Sequence, residues 1–301
     1  MSRFIDISDG GIECRILTYG AALVSFKKHG FDCVLGYEDA EGYKNGDCYF
    51  GAVIGRVCNR TRDAAVTVAG RRYDISKNDG ANSLHGGFVG FDKREWTIKS
   101  VASSHVALTL YSEDGDEGYP TDVNALAEYY ISEGVLHLHL HAEASSPTPI
   151  CMTGHSYFNL GGCDVRQYSY MISSDTYCAH DTHGISSLPT PVDGTEFDFR
   201  QFRKPTCDCD NHFIFRKDSA FAVAESDIAS LRMTTDMPGM QFYDGNSITE
   251  GMPLKHGEAS KKYCGFCFEP QYAPSFASDG VILCTPQKPF DSHISYRLDL
   301  K

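Results

Sequence analysis

Short segments of β-branched and aromatic residues, separated by turn residues, recur along most of this chain. Hardly any stretch has apolar residues at the 3.6-residue spacing of an amphipathic helix, which disfavours helical folds. The clearest strand pattern is Val135–His141, where leucines fall on one face of an extended segment and histidines on the other. The spacing predicts an all-β protein, with helix only in short connections such as one near Glu38–Tyr43.

Neighbouring apolar segments predict antiparallel hairpins. Ile12–Thr18 and Ala22–Phe26 are separated by a Tyr-Gly pair, and Val66–Val68 and Tyr73–Ile75 by an Ala-Gly pair. The 301 residues could form two domains, but β-sandwiches of this length often form one, and no stretch has the composition of a linker. We therefore expect a single domain over residues 1–301.

The charge balance limits the partners of this protein. Lys and Arg number 27 against 40 Asp and Glu, which gives a formal net charge of −13. This acidity disfavours nucleic acid and anionic membrane surfaces as partners and favours a neutral ligand. The first ten residues include acids where a signal peptide needs an apolar core, and no window approaches the roughly 18 apolar residues of a membrane helix. We expect a cytoplasmic protein.

Several clusters of cysteine and histidine raise the question of a metal. The 12 cysteines are scattered, which favours reduced thiols over a disulfide framework. Cys264 and Cys267 have the spacing of a zinc knuckle but lack a second pair, and the group Cys207, Cys209 and His212 is a weaker candidate. We interpret both as structural.

The three histidines of Val135–His141 are also interpreted without a metal. Residues two apart on a strand are about 6.6 Å apart, so His137 and His141 should lie roughly 13 Å from each other. That separation is too large for one ion with bonds of about 2 Å. We expect a solvated sheet face, and neither a metal nor a cofactor is predicted for this protein.

Two titratable residues stand where proton transfer would be favoured. His155 lies within the glycine-flanked apolar stretch Met152–Gly162, whose glycines allow backbone to pass close to a ligand. Glu269 ends an apolar strand, and the aromatic residues around it should raise its pKa by desolvation. Pro270 favours extended geometry at Glu269. His155 is therefore a candidate proton carrier, and Glu269 is a candidate general base.

Polar residues elsewhere suit the binding of sugar hydroxyls. Arg60 offers a planar fork of donors, and the neighbouring Asn59 both donates and accepts. His85 precedes two glycines, Asp210 can accept from vicinal hydroxyls, and Gln241 supplies an amide. Taken singly, each residue is more often structural than functional.

Taken together, these segments resemble the aldose 1-epimerase, or galactose mutarotase, family almost from end to end. The similar blocks are Phe50–Arg60, Asn82–Gly87 with Gly90-Phe91-Asp92 and Trp96, the acidic loop Asp114–Pro120, and Pro147–Pro149 leading to His155–Leu160. The resemblance implies a large antiparallel β-sandwich of the galactose mutarotase type and an isomerase that interconverts the anomers of a free hexose. It implies that Glu269 is the general base and His155 the general acid.

The same resemblance implies that Asn59, Arg60, His85, Asp210 and Gln241 bind the sugar, and that no cofactor or metal takes part. Three positions depart from the family pattern: Ser275 where aspartate is common, Pro270 where a small residue is common, and Ala64 where glycine is usual. These departures leave the catalytic pair intact but bear on the shape of the pocket near residues 270–276. We expect a monomer or a weak homodimer.

Three other functions remain open from the sequence. An epimerase of hexose 6-phosphates could use Arg56, Arg60 and Arg62 to bind the phosphate. A sugar-binding or regulatory protein could keep the fold without turnover. Glycoside hydrolysis by Glu269 and Asp210 would leave the glycine-flanked histidines without a role.

Overall fold

The computed structural model describes residues 2–162, 164–280 and 282–301. These residues form β-strands with two short α-helices and five 3₁₀ turns. The strands are β1 (Phe4–Asp9), β2 (Ile12–Leu17), β3 (Ala22–Lys28), β4 (Phe31–Asp32), β5 (Val53–Ile54), β6 (Arg60–Thr61), β7 (Ala65–Val68), β8 (Arg71–Asp74), β9 (Ser83–Leu84), β10 (Thr97–Ala102), β11 (His105–Ser112), β12 (Val123–Ser132), β13 (Val135–Ala144), β14 (Thr153–Gly154), β15 (Ser169–Ile172), β16 (Ser174–His180), β17 (Ser186–Pro191), β18 (Asp210–Phe215), β19 (Phe221–Glu225), β20 (Ala229–Thr235), β21 (Gly239–Tyr243), β22 (Cys267–Pro270) and β23 (Phe290–Leu300).

The helical segments are short connections. The α-helices are α1 (Ala40–Asn45) and α2 (Phe276–Asp279), and the 3₁₀ turns are Arg62–Ala64, Phe91–Lys93, Asp116–Gly118, Val165–Gln167 and Lys255–Gly257. Helix α1 begins two residues later than the sequence predicted because Asp39 is its N-cap, whose carboxylate accepts from Gly42 N at 2.9 Å. No helix in the described part of the chain has the length and apolar character needed to span a membrane.

Three antiparallel sheets make up most of the fold. The largest has eight strands in the order β10-β11-β12-β13-β23-β20-β19-β15. A five-stranded sheet has the order β17-β16-β18-β21-β22, and a four-stranded sheet runs β1-β2-β3-β4. Most buried apolar residues of all three sheets belong to one core cluster, and a smaller second cluster includes Cys267 of β22. The predicted antiparallel β-sandwich is confirmed. That residues 1–301 form a single domain stays a prediction.

The pattern of alternation places the core on one face of the eight-stranded sheet. In β13, Leu136, Leu138 and Leu140 are buried, whereas the histidines between them are half-buried. The predicted hairpins are also present, since β2 pairs with β3 and β7 with β8. In the turn between β2 and β3, Gly20 has a positive φ of 68°, and a Cβ at this position would lie 2.6 Å from Asp92 O. Both features favour glycine there.

A buried arginine ties the acidic loop to the segment that leads into the candidate site. The Arg56 guanidinium donates to the carbonyl oxygens of Ser112, Glu113, Pro120 and Thr121, and its Nε donates to Ser112 Oγ. Only 2% of this residue is exposed, so its donors bond to four main-chain oxygens and one hydroxyl instead of water. Arg56 therefore has a structural role.

The cysteines of the described residues are unbridged. Nine of these eleven are buried, and Cys58 Sγ lies 3.4 Å from Cys151 Sγ without a covalent bond. Cys264 and Cys267 are both buried in the apolar interior, Cys267 in β22 and Cys264 in the bend before it. The twelfth cysteine, Cys163, lies outside the described residues.

Candidate active site

The structure brings all the predicted site residues to one cavity. The cavity has a volume of about 210 Å³, below the roughly 300–1,000 Å³ of sites for drug-sized ligands, which fits a small molecule. The predicted residues that line it are Asn59, Arg60, His85, His155, Asp210, Gln241 and Glu269. Short strand pairs and the five-stranded sheet bring these distant segments together.

Glu269 is positioned by the register of the five-stranded sheet. It pairs directly with Gln241 across β21 and β22, so both side chains emerge on the same face. Glu269 is 2% exposed, and its Oε2 has no hydrogen-bond partner among the described residues. Burial, followed by the charge of Asp210, raises the pKa of Glu269 well above its usual range against the smaller effect of Arg60. The predicted direction of this shift is confirmed.

His155 follows β14 and is held through its own backbone. Its N–H donates to Ala52 O at 2.9 Å, and its carbonyl accepts from Gly51 N at 3.0 Å. The ring stacks on Tyr157 at 5.0 Å between centroids. It is 4% exposed, and burial lowers the pKa of His155 to about 4.

The two titratable groups form a close pair. Nε2 of His155 lies 3.6 Å from Oε2 of Glu269. Burial opposes charge on both groups, so the pair keeps a single proton over the range between their two pKa values. This arrangement can take one proton from a ligand while giving another.

Cys267 is a neighbour of this pair that the sequence analysis did not place in the site. Its Sγ lies 3.5 Å from His155 Nδ1. Cys267 precedes Glu269 by two residues in β22, so the alternation of a strand puts both side chains on one face. That spacing was the signal that could have found it.

His85 presents a defined tautomer to the cavity. The backbone N–H of Asn59 donates to His85 Nδ1 at 3.1 Å, so the neutral ring carries its proton on Nε2. The ring lies 5.2 Å from that of His155, and burial lowers the pKa of His85 well below its usual range. The following Gly86 passes so close to Gly55 that a Cβ would lie 2.1 Å from its carbonyl oxygen. His85 is thus a neutral donor.

A network of polar side chains forms one wall of the cavity. The Gln241 amide Nε2 donates to Asp210 Oδ1 at 2.8 Å, and an Arg60 guanidinium nitrogen lies 3.9 Å from Asp210 Oδ2. Asp79, which the sequence analysis missed, accepts from Arg60 Nε at 2.7 Å and fixes the guanidinium. Asn59 Oδ1 accepts from Arg60 N at 2.7 Å, which leaves the Asn59 amide NH₂ as a donor.

Comparisons with known proteins decide the family. A family model described as aldose 1-epimerase matches residues 3–297. The chain belongs to the aldose 1-epimerase family. It is 38% identical over 260 residues to the galactose mutarotase of Rattus norvegicus, a match covering 81% of this chain and 76% of the rat protein.

Two further relatives agree with this assignment. The chain is 30% identical over 295 residues to the aldose 1-epimerase of Escherichia coli, covering 89% of this chain and 85% of that protein. A crystal structure of an aldose epimerase homologue from C. elegans shares the fold, with a TM-score of 0.94, 24% identity, and coverage of 100% of this chain and 99% of that one. This aldose 1-epimerase is an isomerase with mutarotase activity, and the predicted family, fold and reaction type are confirmed.

The three departures from the family pattern lie outside the described lining of the cavity. Pro270 ends β22, Ala64 is buried in a 3₁₀ turn, and Ser275 supports the site indirectly because its backbone N–H donates to Arg60 O at 3.1 Å. Of the three, Ser275 is therefore linked to the epimerase pocket through its backbone.

Further lining residues had weak sequence signals. They are Asp47, Cys48, Tyr49, Leu84, Tyr157, Tyr243, Ser247, Ile248 and Thr249. Tyr157 could have been inferred from its place beside His155. The residues between 243 and 249 lie in an irregular connection that no strand pattern predicts.

One set of side chains in the epimerase pocket has the spacing of metal ligands. Donor atoms of His85, His155 and Glu269 lie within 4.8 Å of one another. The Asn59 N–H occupies His85 Nδ1, so the proton-bearing Nε2 of His85 is arranged as a donor and not as a ligand. The set therefore suits proton transfer better than metal binding.

Proposed function

We propose that Glu269 and His155 interconvert the α and β anomers of a free hexose, such as galactose or glucose, by moving one proton each. The observation that carries this proposal is the buried pair, with Nε2 of His155 3.6 Å from Oε2 of Glu269. A cavity lined by hydroxyl-binding groups surrounds the pair.

In the first step, Glu269 takes the proton of the C1 hydroxyl while His155 gives a proton to the ring oxygen. The bond between C1 and the ring oxygen breaks, and the open-chain aldehyde forms. Rotation about the C1–C2 bond presents the other face of the carbonyl. The former ring oxygen then attacks C1, returns its proton to His155, and Glu269 protonates the carbonyl oxygen.

The charge of the pair stays constant through this cycle. An ionised Glu269 with a protonated His155 becomes a neutral pair when the ring opens, and closure reverses the change. Because burial favours the two neutral forms, the ring-opened state has the protonation that the cavity prefers. The raised pKa of Glu269 also makes it a stronger base than an exposed carboxylate.

The polar wall would orient the sugar. Arg60, His85 and Asn59 offer donors to the sugar oxygens, whereas Asp210 accepts from hydroxyl groups. The Gln241 carbonyl Oε1 is buried and unpartnered among the described residues, which leaves an acceptor for another hydroxyl. Hydroxyl groups need both kinds of partner.

The charges near the cavity argue against a hexose 6-phosphate. Arg56 is buried against main-chain carbonyls, and Arg62 forms an ion pair with Asp181. Arg60 lines the cavity, but it faces Asp79 and Asp210. A phosphate would meet these carboxylates and Glu269, so the neutral hexose is favoured.

The other two alternatives also lack support. A binding protein has no need of the buried pair. For glycoside hydrolysis, Asp210 would have to act as the second carboxylate, yet it accepts from Gln241 and faces Arg60.

We further propose that the enzyme acts in the cytoplasm, as a monomer or weak homodimer, in keeping with its acidic charge; sedimentation velocity tests the oligomeric state.

The decisive experiment follows the anomeric proton signals of freshly dissolved α-galactose and α-glucose by NMR, with and without the protein. We expect faster equilibration of at least one sugar, unchanged by a chelator, since the mechanism uses two proton carriers. The 6-phosphates of both sugars serve as parallel substrates. Acceleration confined to the phosphates, or no acceleration at all, would contradict the proposed substrate.

A further inference from the structure

The outer face of the eight-stranded sheet carries an unusual density of histidine. The residues concerned are His105, Glu128, His137, His139, His141, Asp291 and His293. The distances between the histidines along β13 alone are too large for one ion. The register with β23 adds closer neighbours, since His139 pairs with His293 and His141 with Asp291.

Three of these side chains converge across the two strands. Asp291 Oδ1 lies 3.2 Å from His139 Nε2 and 3.1 Å from His293 Nε2. Donor atoms of all three lie within 4.8 Å of one another, and the two imidazole rings are stacked with centroids 4.3 Å apart. The side chain of His139 is 20% exposed, that of Asp291 47% and that of His293 54%. An ion can therefore reach all three from solvent.

Contacts from Glu128 and His141 orient the side chains of His139 and Asp291. Glu128 Oε2 lies 3.2 Å from His139 Nδ1, and with this nitrogen as the donor the Nε2 lone pair points toward Asp291. His141 Nδ1 lies 2.8 Å from Asp291 Oδ2, which leaves Oδ1 to face the other two rings. Histidine ligands held by an outer carboxylate in this way are typical of metal sites.

We propose that His139, Asp291 and His293 bind a first-row transition-metal cation such as Zn²⁺ on the outer face of the eight-stranded sheet. Two imidazole nitrogens and one carboxylate oxygen form a donor set that suits this ion, with solvent in the remaining position. Bonds of about 2 Å in tetrahedral geometry hold ligand atoms roughly 3.3 Å apart. Both pairs that include Asp291 already have this spacing, and the exposed His293 ring can rotate to complete it.

This site is separate from the catalytic pair, so it can be tested independently. Titration calorimetry of the full chain with ZnCl₂ compares the wild type with His293→Asn and Glu128→Gln. Losing an outer partner of a ligand typically weakens metal binding by about 10- to 100-fold, which is the expected effect of Glu128→Gln. Losing the ligand His293 should weaken binding at least as much. The visible spectrum of bound Co²⁺ should change in both variants.

His183→Asn is the matched control, because this histidine is 42% exposed in the turn between β16 and β17, near Asp63. It should bind zinc as the wild type does. Mutarotation by His293→Asn without added metal should equal that of the wild type, which separates loss of this site from failure of the proposed catalytic mechanism. Equal zinc affinity in wild type and His293→Asn would overturn the proposal, since binding would then occur elsewhere, such as at the catalytic pair. Absence of zinc binding by the wild type would also overturn it.

Discussion

Replacing Glu269 by glutamine tests the proposed proton transfer directly. The amide has the size of the carboxylate but cannot accept a proton at neutral pH. Glu269 is 2% exposed, and its Oε2 has no hydrogen-bond partner among the described residues, so the substitution costs no hydrogen bond at that atom. It also removes a carboxylate whose ionisation is opposed by burial. The variant should therefore fold at least as stably as the wild type.

The effect on rate follows from the role of the lost group. A positioned general base contributes about 10²- to 10⁴-fold. At roughly 1.4 kcal/mol for each factor of ten, the barrier should rise by about 3 to 5.5 kcal/mol. The loss should appear mainly in kcat, because the other polar residues that would bind the hexose are unchanged.

The pH dependence of the wild type gives a second, independent test. The active pair holds one proton, so the rate should rise with pH as the doubly protonated pair loses one proton and fall as the last proton leaves. Burial lowers the pKa of His155 to about 4 and raises that of Glu269. The acid limb should thus lie well below the usual histidine range near 6.5 and report mainly on His155, and the alkaline limb should report mainly on Glu269. With the ordinary pKa values of glutamate and histidine, the two limbs would have the opposite assignment.

Anomer equilibration measured by NMR or polarimetry, from acid to alkaline pH, checks both expectations. Glu269→Gln should lack the alkaline limb that reports on Glu269, and its residual rate should fall with rising pH as His155 loses its proton. Glu13→Gln, an exposed change on β2, is the control and should behave as the wild type. If folded Glu269→Gln equilibrates the hexose at a rate close to the wild type, the assignment and the mechanism are both wrong.

Other predictions concern neighbouring residues. Arg60→Ala and Asp210→Ala should raise KM more than they lower kcat, because the lost contacts would hold hydroxyls in ground and transition states alike; unchanged KM in steady-state kinetics would exclude that role. Burial lowers the pKa of His212 to about 3, so its contribution to stability is present above pH 6.5 and is lost toward pH 3, by at most about 1.4 kcal/mol per pH unit. Denaturation midpoints of His212→Gln should therefore fall less steeply with acid than those of the wild type, and equal slopes would count against this. Cys267→Ala should stay active, because a thiol 3.5 Å from His155 Nδ1 is a weak partner; an inactive but folded variant would assign that thiol a role in orienting the imidazole.

Much of the fold follows from local patterns. The alternation in Val135–His141 correctly predicted which face of β13 is buried, because side chains on a strand alternate whatever the partner strand is. The hairpins were predictable for the same local reason. The start of α1 was missed because the capping of Gly42 N by Asp39 shifts it by two residues.

Contacts between distant segments could not be derived in this way. Nothing in the spacing indicates that Asp79 fixes Arg60, or that Arg56 binds the acidic loop instead of a ligand. The convergence of His139 with His293 depends on a strand pairing that the sequence does not reveal. The residues around the cavity were predictable through the family resemblance, whereas their roles in catalysis and binding stay predictions.

The position of β23 has a consequence for synthesis of the protein. This strand, near the carboxyl end of the sequence, lies inside the eight-stranded sheet between β13 and β20. At about 5 to 20 residues per second, β23 leaves the ribosome roughly 7 to 30 s after β13. During that interval the edge of β13 is unpaired, and an open edge can pair with another nascent chain. Yield in the cell should therefore depend on translation rate and on chaperones that shield this edge.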